Sequence, residues 1–476
     1  MVTKSNQASV AIFFNQKCKS WCAAMELTYR LKSQNNIHLI DGTGISAPYF
    51  VSYKRRSHQK HLLEEFSQRK PKRFRLTSKL NLSHMVYGVY HFYKFKRNRE
   101  FTVFNWKGLD ISRIIHCKIA AILGTRYFDS DQVKLSTFLR YSSLTMKSIC
   151  FAQRTLSREI DTVYVYNGRD IFEASVALVA KSLDCKVIFC ERGSSGNKLQ
   201  LFQISPHYHP NWWQLIHEFS KTPIDATKLL NAEKFMVAKL EGVDTYKDEL
   251  WNQGYSDADL VGIGNYTLFL TSSTIEFSPF EEYNYESGFS KNLFDALYFL
   301  ARLLRNNNEK LIIRRHPNSI GHDGVDREEV IWKSLQKEPN VLYISPHENI
   351  SSYQLIKGAS RVYVWKSSIG FESLLLGKPT FCLASAKWAW DKSFQVHTFA
   401  EIRSSISISQ SKELVTETII KYANFMANSG FESALFKSFS EQRALTNENH
   451  DIPNLFFQHI RSFIFGKRGK KLRLRK

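Results

Sequence analysis

The sequence has no long apolar run, and several common ligand-binding signatures are missing from it. A transmembrane helix typically needs about 18 consecutive apolar residues, and no run in the sequence is that long. We therefore expect no transmembrane helix. The N-terminal stretch MVTKSNQASVAIFFNQK lacks the long apolar core of a signal peptide. A Walker phosphate-binding loop is absent, and no GxGxxG follows a predicted strand, which disfavours ATP hydrolysis and dinucleotide redox chemistry.

Cysteine is scarce and scattered. The seven cysteines form no CxxC pair, and no second pair accompanies Cys18 and Cys22 to complete a zinc site. We therefore expect reduced thiols in a cytosolic protein, several of them in the core.

Acidic residues are outnumbered by basic ones. The 44 Asp and Glu against 66 Lys and Arg give a formal net charge of +22. Such a surplus favours polyanionic partners: nucleic acid, anionic lipid, or an acidic polymer or nucleotide substrate. Residues 54–79 are especially basic and form either a face toward an anionic membrane or acceptor, or a solvated helix and loop.

The C-terminal residues combine bulky apolar side chains with a cationic end. Residues 454–465 are largely apolar, and residues 466–476 are almost purely basic. This pattern is typical of an interfacial membrane anchor. A last core helix followed by a disordered tail, and a nucleic-acid-binding tail, are the alternatives.

Apolar strands and amphipathic helices alternate along much of the chain. Residues 9–40 predict a strand, a helix and a strand; the same alternation returns over residues 161–190 and, more regularly, over residues 266–382. Residues 84–150 show no clear period. The pattern predicts the α/β class, with two doubly wound Rossmann-type domains at residues 1–250 and 251–440 and an amphipathic, basic tail at residues 441–476.

Polar residues follow the predicted strand ends in both halves. Asn167 and a Gly/Ser-rich loop that begins at Glu191 come after two strands of the first half, and Ser272, His316 and Ser367 come after three strands of the second. Ligands of open α/β sheets bind outside the carboxyl ends of the strands. We therefore expect these residues to line one edge of their respective sheets.

The stretch RVYVWKSSIGFESLLLGKPT, residues 361–380, predicts a strand, a tight turn, a helix that stops at Gly377, and a further strand. Ser367 and Ser368 lie in the turn. They are either a helix N-cap or ligands of a phosphate, because the free N–H groups of a helix start favour an anion.

Two histidines and two tryptophans lie close together in SPHYHPNWW, residues 205–213. His207 and His209 are two residues apart, but no third metal ligand is visible at a sensible spacing. We therefore favour an aromatic-capped loop that leads into a helix.

The residue types at the two predicted edges indicate different chemistry. Arginines, a lysine, an imidazole and hydroxyls in the second half suit the charge of a nucleotide phosphate leaving group; they are Arg314, Arg315, His316, Lys366, Ser367 and Ser368. Asp170 and Glu191 of the first half could deprotonate an acceptor hydroxyl.

An ordered set of short motifs over residues 160–385 carries a family resemblance. His316-Pro317, followed about 50 residues later by Ser367-Ser368-x-Gly-x-Glu, resembles the HP and Ser-Ser motifs of bacterial sialyltransferases and Kdo transferases. Capsule-polysaccharide-biosynthesis proteins share these motifs. The other matching pieces are Asn167-Gly168-Arg169, Glu191-x-Gly193, Ser272-Ser273-x-x-Glu276 and Gly370-x-Glu372-(x)4-Gly377-Lys378-Pro379.

This resemblance implies a GT-B fold, with an acceptor domain (1–250) facing a nucleotide-sugar domain (251–440) across a cleft. It implies that His316, Ser367 and Ser368 contact the donor phosphate, and we place Arg314, Arg315, Lys366, Ser272 and Ser273 in the same site. The catalytic base maps onto Glu191, although Glu-Arg-Gly departs from the family's two acidic residues, which keeps Asp170 as an alternative. The remaining predicted cleft residues are Asn167, Arg169, Gly193, Pro317, Asn318, Gly370 and Glu372.

The resemblance further implies a metal-independent glycosyltransferase of capsular or lipopolysaccharide-type surface polysaccharide, without a bound cofactor. We expect a nucleotide-sugar donor, with CMP-linked sugars among the candidates, and a glycan or glycolipid acceptor. The protein would lie in the cytoplasm, peripherally on the inner membrane through its basic tail, with no nucleic-acid partner. A nucleotide-sugar epimerase or hydrolase of the same fold, and a non-catalytic polyanion-binding scaffold, are the alternatives.

Overall fold

The structure is a computed structural model, which describes most but not all residues of the chain. It describes residues 8–14, 18–31, 36–41, 72–73, 82–99, 101–125, 128, 130–156, 159–193, 197–206, 208–241, 243–244, 249–250, 264–272, 289, 293–316, 319, 325–408, 410–439, 443–446 and 451–453.

Helices cover much of the described chain. In chain order they are α1 (Cys18–Leu31), α2 (Leu82–Asn98), α3 (Ser112–Leu123), α4 (Leu135–Thr155), α5 (Ile171–Ser182), α6 (His209–Ser220), α7 (Ala226–Leu240), α8 (Leu293–Asn306), α9 (Glu329–Ser334), α10 (Ser352–Gly358), α11 (Ile369–Leu375), α12 (Phe399–Ser405) and α13 (Lys412–Asn428).

The strands alternate with these helices. In chain order they are β1 (Ser9–Phe14), β2 (Asn36–Asp41), β3 (Lys72–Arg73), β4 (Asn105–Trp106), β5 (Leu109–Asp110), β6 (Thr162–Tyr166), β7 (Lys186–Arg192), β8 (Lys198–Phe202), β9 (Val243–Asp244), β10 (Glu249–Leu250), β11 (Tyr266–Thr271), β12 (Lys310–Arg314), β13 (Val341–Ile344), β14 (Arg361–Trp365), β15 (Thr380–Cys382), β16 (Phe431–Glu432), β17 (Phe436–Phe439), β18 (Arg443–Thr446) and β19 (Asp451–Pro453).

The chain divides into two compact units. Unit 1 comprises Met1–Ile115, Lys134–Ile204 and Gly430–Lys476, and unit 2 comprises His116–Val133 and Ser205–Ser429. A compact unit is not by itself an independently folding domain, so the domain boundaries at residues 250 and 440 stay a prediction.

Unit 1 contains a doubly wound sheet in the strand order β16-β8-β7-β6-β1-β2-β3. Strands β3, β2, β1, β6 and β7 run parallel, while β8 pairs antiparallel with both β7 and β16. Nearly all of β1 is buried, as expected for a parallel strand with both faces covered. The chain winds outward from β1 to β2 and then restarts on the other side at β6, so the strand order reverses between β1 and β6.

Unit 2 contains a five-stranded parallel sheet in the order β13-β12-β11-β14-β15. Its order reverses between β11 and β14. The apolar stripe predicted for α8 is buried in the core, at Leu293, Leu297, Leu300 and Leu304. The two sheets confirm the α/β class with two doubly wound, largely parallel sheets.

One predicted strand end is wrong. The sequence predicted that the strand beginning at Lys186 ends at Cys190 and that Glu191 opens a loop. In the structure β7 continues to Arg192, because β8 folds back as a hairpin and Glu191 pairs with Gln200. Glu191 therefore belongs to the regular part of the sheet, where its backbone is held by a neighbouring strand.

Residues 84–150, which showed no clear period, contain α2, α3 and α4. An aromatic cluster fills the space between α2 and α4, with Phe92, Phe95 and Phe104 around Phe138. His84 and His91 are buried alongside, and burial lowers the pKa of both rings below the usual value. Buried polar rings interrupt the apolar pattern that would otherwise indicate these helices.

Several sequence features lie outside the described residues. They include the tail at residues 454–476, most of the basic stretch at residues 54–79, and the predicted site residues Ser273, Pro317 and Asn318. Within the described part of the chain, no helix is both long enough and apolar enough to cross a membrane. Most of the described cysteines are buried, as predicted, and none is in a disulfide.

Candidate functional site

Three adjacent strands of unit 2 end at the point where the strand order reverses, and polar residues follow each of them. Ser272 follows β11, His316 comes just after β12, and Lys366, Ser367 and Ser368 follow β14. We call these five residues the unit 2 edge. Because β12, β11 and β14 are neighbours, the structure confirms that these residues lie at one edge of their sheet.

A hydroxyl joins two of these strand ends. The backbone N–H of His316 donates to Oγ1 of the buried Thr271, at 2.8 Å. This bond fixes His316, the second residue after β12, against the last residue of β11. Sequence reasoning missed Thr271, because a threonine at a strand end is ordinary in a buried strand.

The turn after β14 is sharp. Lys366 has a φ of +55°, in the left-handed region that non-glycine residues rarely adopt. Ser367 is buried, and its carbonyl accepts a hydrogen bond from Nε1 of Trp388 at 3.0 Å. Ser368 is exposed at the N-cap position of α11, yet its side chain makes no cap hydrogen bond. Capping α11 is therefore not what the Ser368 hydroxyl does.

Two motif residues of α11 have packing partners inside unit 2. A Cβ on Gly370 would lie 2.2 Å from Cζ2 of Trp388, so only glycine fits there. Glu372 is buried with an Oε1 atom 3.4 Å from Nζ of Lys239. Burial raises the pKa of the Glu372 carboxyl, and the nearby lysine partly opposes that shift. The cleft role of Gly370 and Glu372 stays a prediction.

The two arginines at the end of β12 are buried and bonded within unit 2. Arg314 donates to the backbone carbonyls of Ser345 and Glu348. Arg315 is 0% exposed. Its guanidinium donates to both carboxylate oxygens of Asp326 and to Glu328.

These bonds give both guanidinium groups a structural task. Two carboxylates already balance the charge of Arg315, whereas burying an unpaired charge would be costly. The phosphate role assigned to the arginines stays a prediction, and it would require them to give up these partners. The partners hold the two arginine side chains that directly precede His316.

Residues 208–213 pack on the loop after β15, and His207 lies outside the described residues. Nδ1 of His209 lies 2.8 Å from the carbonyl oxygen of Ser385, and Nε1 of Trp213 donates to the carbonyl of Ala386 at 2.7 Å. Nζ of Lys387 lies 3.7 Å from the ring centroid of Trp212. As predicted, the segment leads into a helix, α6.

The imidazole of His209 is held neutral. Burial, and to a lesser degree the charge of Lys387, lower its pKa to about 3. Within the described ranges, no three His, Cys, Asp or Glu side chains lie close enough together to hold a metal ion. Sequence reasoning noticed His209 but could not find its partner, which lies 176 residues further along the chain.

The carboxyl edge of the unit 1 sheet is built around Glu191. Its Oε1 accepts from the hydroxyl of Tyr166 and from the N–H of Arg192, each at 3.0 Å, and its Oε2 accepts from the side-chain amide of Asn167. Burial and the charge of Glu191 keep the pKa of the Tyr166 phenol well above its ordinary value, so the phenol stays a donor. These three donors fix the orientation of the carboxylate.

The turn after β6 resembles the turn after β14. Asn167 has a φ of +59°, and Gly168 follows it with a φ of +79°. Asp170 is half-buried at the N-cap position of α5, without a side-chain cap hydrogen bond, and Arg169 is exposed. We call Tyr166, Asn167, Asp170 and Glu191 the unit 1 edge.

Gly193 has a structural explanation in the hairpin. Its N–H donates to the carbonyl of Lys198 at 2.8 Å, and a Cβ on it would lie 2.7 Å from Cβ of Lys198. The glycine is therefore needed for close pairing at the end of β7. A role for Gly193 in approaching a ligand stays a prediction.

The chain was compared with known protein families. Residues 283–414 match the model of the family described as "Capsule polysaccharide biosynthesis protein". The match confirms the resemblance seen in the motifs and contains most of the second-half set, including His316, Ser367, Gly370 and Glu372. The motif pieces at Asn167, Glu191 and Ser272 lie outside it.

Solved structures with a similar arrangement include transferases and epimerases. The beta Kdo 2,4 transferase of Thermosulfurimonas dismutans KpsC has a TM-score of 0.33 and 13% identity, covering 55% of this chain and 88% of its own. A UDP complex of S. aureus MnaA has a TM-score of 0.30 and 11% identity, covering 88% and 93%.

A UDP-GlcNAc 2-epimerase from Neisseria meningitidis bound to UDP-GlcNAc has a TM-score of 0.28 and 12% identity, covering 87% of this chain and 94% of its own. Scores of this size carry no argument about what this chain does. A search of curated protein sequences found no match.

Proposed function

We propose that this protein is a GT-B-type glycosyltransferase of surface-polysaccharide synthesis, which transfers a sugar from a nucleotide-sugar donor to a glycan or glycolipid acceptor. The observation that carries the proposal is the unit 2 edge. It brings an imidazole, a lysine and hydroxyls together where the strand order of a parallel sheet reverses, the usual ligand position in such sheets. His316, Lys366 and Ser367 also lie within the segment that matches the capsule family.

In this proposal the unit 2 edge holds the donor phosphate. The ammonium group of Lys366 and the ring of His316 stabilise negative charge as the bond between the anomeric carbon and the phosphate oxygen breaks. Ser272, Ser367 and Ser368 donate hydrogen bonds to the same phosphate. Arg314 and Arg315, which directly precede His316, are anchored by their own hydrogen bonds and support the end of β12.

The unit 1 edge supplies the base. An acceptor hydroxyl oxygen attacks the anomeric carbon, and Glu191 takes its proton. The hydrogen bonds from Tyr166 and Asn167 keep the carboxylate of Glu191 in one orientation. Asp170 is the other carboxylate of this edge that could act as the base.

The release of free nucleotide tests the proposal. A transferase consumes nucleotide sugar faster when an oligosaccharide acceptor is added, whereas an epimerase or hydrolase does not need the acceptor and a scaffold consumes none. The donor is first identified by thermal protection with CMP, UDP and GDP, since a ligand at about 100 times its Kd adds about 2.7 kcal/mol to stability. Consumption at the same rate with and without acceptor would overturn the transferase assignment.

We also propose that the protein associates peripherally with the inner membrane through residues 454–476. These residues combine an apolar stretch, 454–465, with a strongly basic one, 466–476. A chain that stops at residue 453 should leave the membrane fraction and keep its activity on a soluble acceptor. If the shortened chain stays with the membranes, the tail is not the anchor.

A further inference from the structure

His209 has one ring nitrogen committed to the protein. Nδ1 lies 2.8 Å from the carbonyl oxygen of Ser385 and 3.2 Å from the hydroxyl of the same residue. A carbonyl oxygen can only accept a hydrogen bond, so Nδ1 must carry the proton. In the neutral ring Nε2 then carries a lone pair, and this nitrogen is a hydrogen-bond acceptor.

The surroundings of His209 keep that lone pair available. The ring is partly buried, and the ammonium groups of Lys387 and Lys366 are close enough for their charges to disfavour a second proton. A positively charged imidazole would bind anions, whereas this neutral one binds hydrogen-bond donors. His209 therefore offers a neutral hydrogen-bond acceptor, whereas Lys366 and Lys387 offer positive charge.

The position of His209 relates it to the unit 2 edge. Its partner Ser385 comes shortly after β15, and β15 is the neighbour of β14, whose end carries Lys366 and Ser367. Trp213 and Trp212 hold the same loop through Ala386 and Lys387. Suppose that the phosphate of a ligand lies at the end of β14 and that the rest of the ligand extends toward β15. The ligand then approaches the loop that His209 contacts.

We propose that His209 is a binding residue of this site, whose Nε2 accepts a hydrogen bond from a hydroxyl of the phosphorylated ligand held by Lys366. The inference rests on the proposed function, which places a nucleotide sugar at the unit 2 edge. Both the ribose and the transferred sugar of such a ligand carry hydroxyls close to the phosphates. The hydroxyl is thereby recognised by a neutral acceptor next to a cationic phosphate site.

Two substitutions separate binding from packing. His209→Asn places an amide N–H near the position of Nδ1, so it can keep the bond to Ser385 but has nothing at Nε2. His209→Gln reaches the position of Nε2 with a group that can accept, but loses the donor to Ser385. Calorimetric titration of the full-length protein with CMP, UDP, GDP and inorganic phosphate measures the effect of each.

We expect His209→Asn to weaken the best-bound nucleotide about fivefold to tenfold, the equivalent of one hydrogen bond, and to leave the affinity for inorganic phosphate unchanged. His209→Gln should retain most of the nucleotide affinity. If the hydroxyl belongs to the transferred sugar instead of the ribose, His209→Asn spares the nucleotide and raises the KM for the nucleotide sugar while His209→Gln does not.

If His209 has a purely structural role, His209→Gln should be the more damaging of the two substitutions. His209→Asn would then resemble the wild type, and His209→Gln would lower the thermal stability and weaken every ligand alike, phosphate included. That order, or equal behaviour of both variants and the wild type, overturns the inference while leaving the proposed function standing. If the wild-type protein binds no nucleotide at all, both the proposed function and this inference fail.

Discussion

The two units have a similar turn at their sheet edges, with one left-handed residue directly after a strand, but side chains of opposite charge. In unit 1, Asn167 follows β6 with a left-handed backbone and the chain continues into α5; in unit 2, Lys366 follows β14 with a left-handed backbone and the chain continues into α11. Both strands border the point where the strand order of their sheet reverses. The unit 1 edge carries carboxylates, and the unit 2 edge carries a lysine, an imidazole and hydroxyls.

The comparison shows how little of the function resides in the fold. A left-handed residue after a parallel strand turns the chain sharply and presents the next few residues at the carboxyl edge, whichever side chains they carry. At one edge, hydrogen bonds from Tyr166 and Asn167 orient the carboxylate of Glu191, for which we propose proton transfer. At the other edge, Lys366 and His316 suit an anion.

Removing the carboxylate of unit 1 should have the largest effect. Glu191→Gln keeps the size of the side chain but cannot take a proton, so kcat should fall about 10²-fold to 10⁴-fold while nucleotide affinity is unchanged. Steady-state kinetics with acceptor and calorimetry with nucleotide measure the two quantities.

Asp170→Asn is the matched control for that change. If Glu191 is the base, Asp170→Asn should retain most of the activity. A larger loss of kcat in Asp170→Asn than in Glu191→Gln would transfer the base role to Asp170. Equal and small losses would remove proton transfer from the unit 1 edge altogether.

Removing the imidazole of unit 2 should have the next largest effect. His316→Ala should lower turnover about 10²-fold to 10³-fold, because the leaving phosphate loses a group that stabilises its charge. The fold should survive, since the bond to Thr271 comes from the backbone of His316 and not from its ring. Turnover near the wild-type value would make the ring structural and weaken the contrast between the edges.

Low pH should destabilise unit 2 through the buried ring of His209. The pKa of this ring is about 3 in the folded state and 6.5 in an unperturbed chain, so between these values the unfolded state binds the proton. Stability should therefore fall as the pH drops below 6.5, by up to about 1.4 kcal/mol per pH unit from this group.

Urea unfolding at pH 7, 6, 5 and 4 checks the sign. The wild type should lose stability more steeply than His209→Asn over this range, and the two should differ by a constant amount above pH 7. Parallel curves down to pH 4 would show that the ring is not held neutral by its surroundings.

The smallest effect concerns the shared turn itself. Asn167→Gly and Lys366→Gly keep the left-handed backbone without its steric cost, so each should be more stable than the corresponding alanine variant by roughly 1 kcal/mol. Asn308→Gly and Asn308→Ala are the control pair, because Asn308 has a φ of +55° in the turn between α8 and β12, at the amino end of the unit 2 sheet.

Thermal unfolding of the three pairs decides whether the turns are equivalent. If alanine is as stable as glycine at one edge and not at the other, the two turns do not share a backbone requirement. Activity should not follow stability, because both glycine variants should lose activity. Lys366→Gly loses a charge, and Asn167→Gly loses the amide that orients Glu191.

Strand ends were predictable from the sequence because they depend on local pattern. Apolar runs such as TVYVY and RVYVW end at a left-handed residue and a helix start, and neighbouring parallel strands bring such ends to one edge. The predicted neighbours Ser272, His316 and Ser367 followed from that rule alone.

Features that depend on distant partners were not predictable. Glu191 was placed in a loop because the pairing of β7 with β8 cannot be read from β7 itself. The charge of Arg315 gave no sign that it would be buried against Asp326, since most arginines lie at the surface. The partner of His209 lies in the loop after β15, far along the chain, and only the folded structure brings the two together.

The way the chain re-enters unit 1 sets the order in which the protein can be completed during synthesis. After α13 the chain turns at Gly430, where a Cβ would lie 2.5 Å from the carbonyl oxygen of Leu199, and β16 then pairs with β8. The buried carboxylate of Glu26 accepts hydrogen bonds from the hydroxyl of Ser433 and from backbone N–H groups just beyond it.

A ribosome must therefore translate beyond residue 433 before Glu26 gains these partners. Until then Glu26 lacks these donors and can pair with Arg30 of its own helix, and the side of β8 that β16 later covers is an unpaired sheet edge. Unit 2, whose residues 205–429 are all made by then, can be complete earlier. Unit 1 is therefore the first unit to be started during synthesis and the last to be completed.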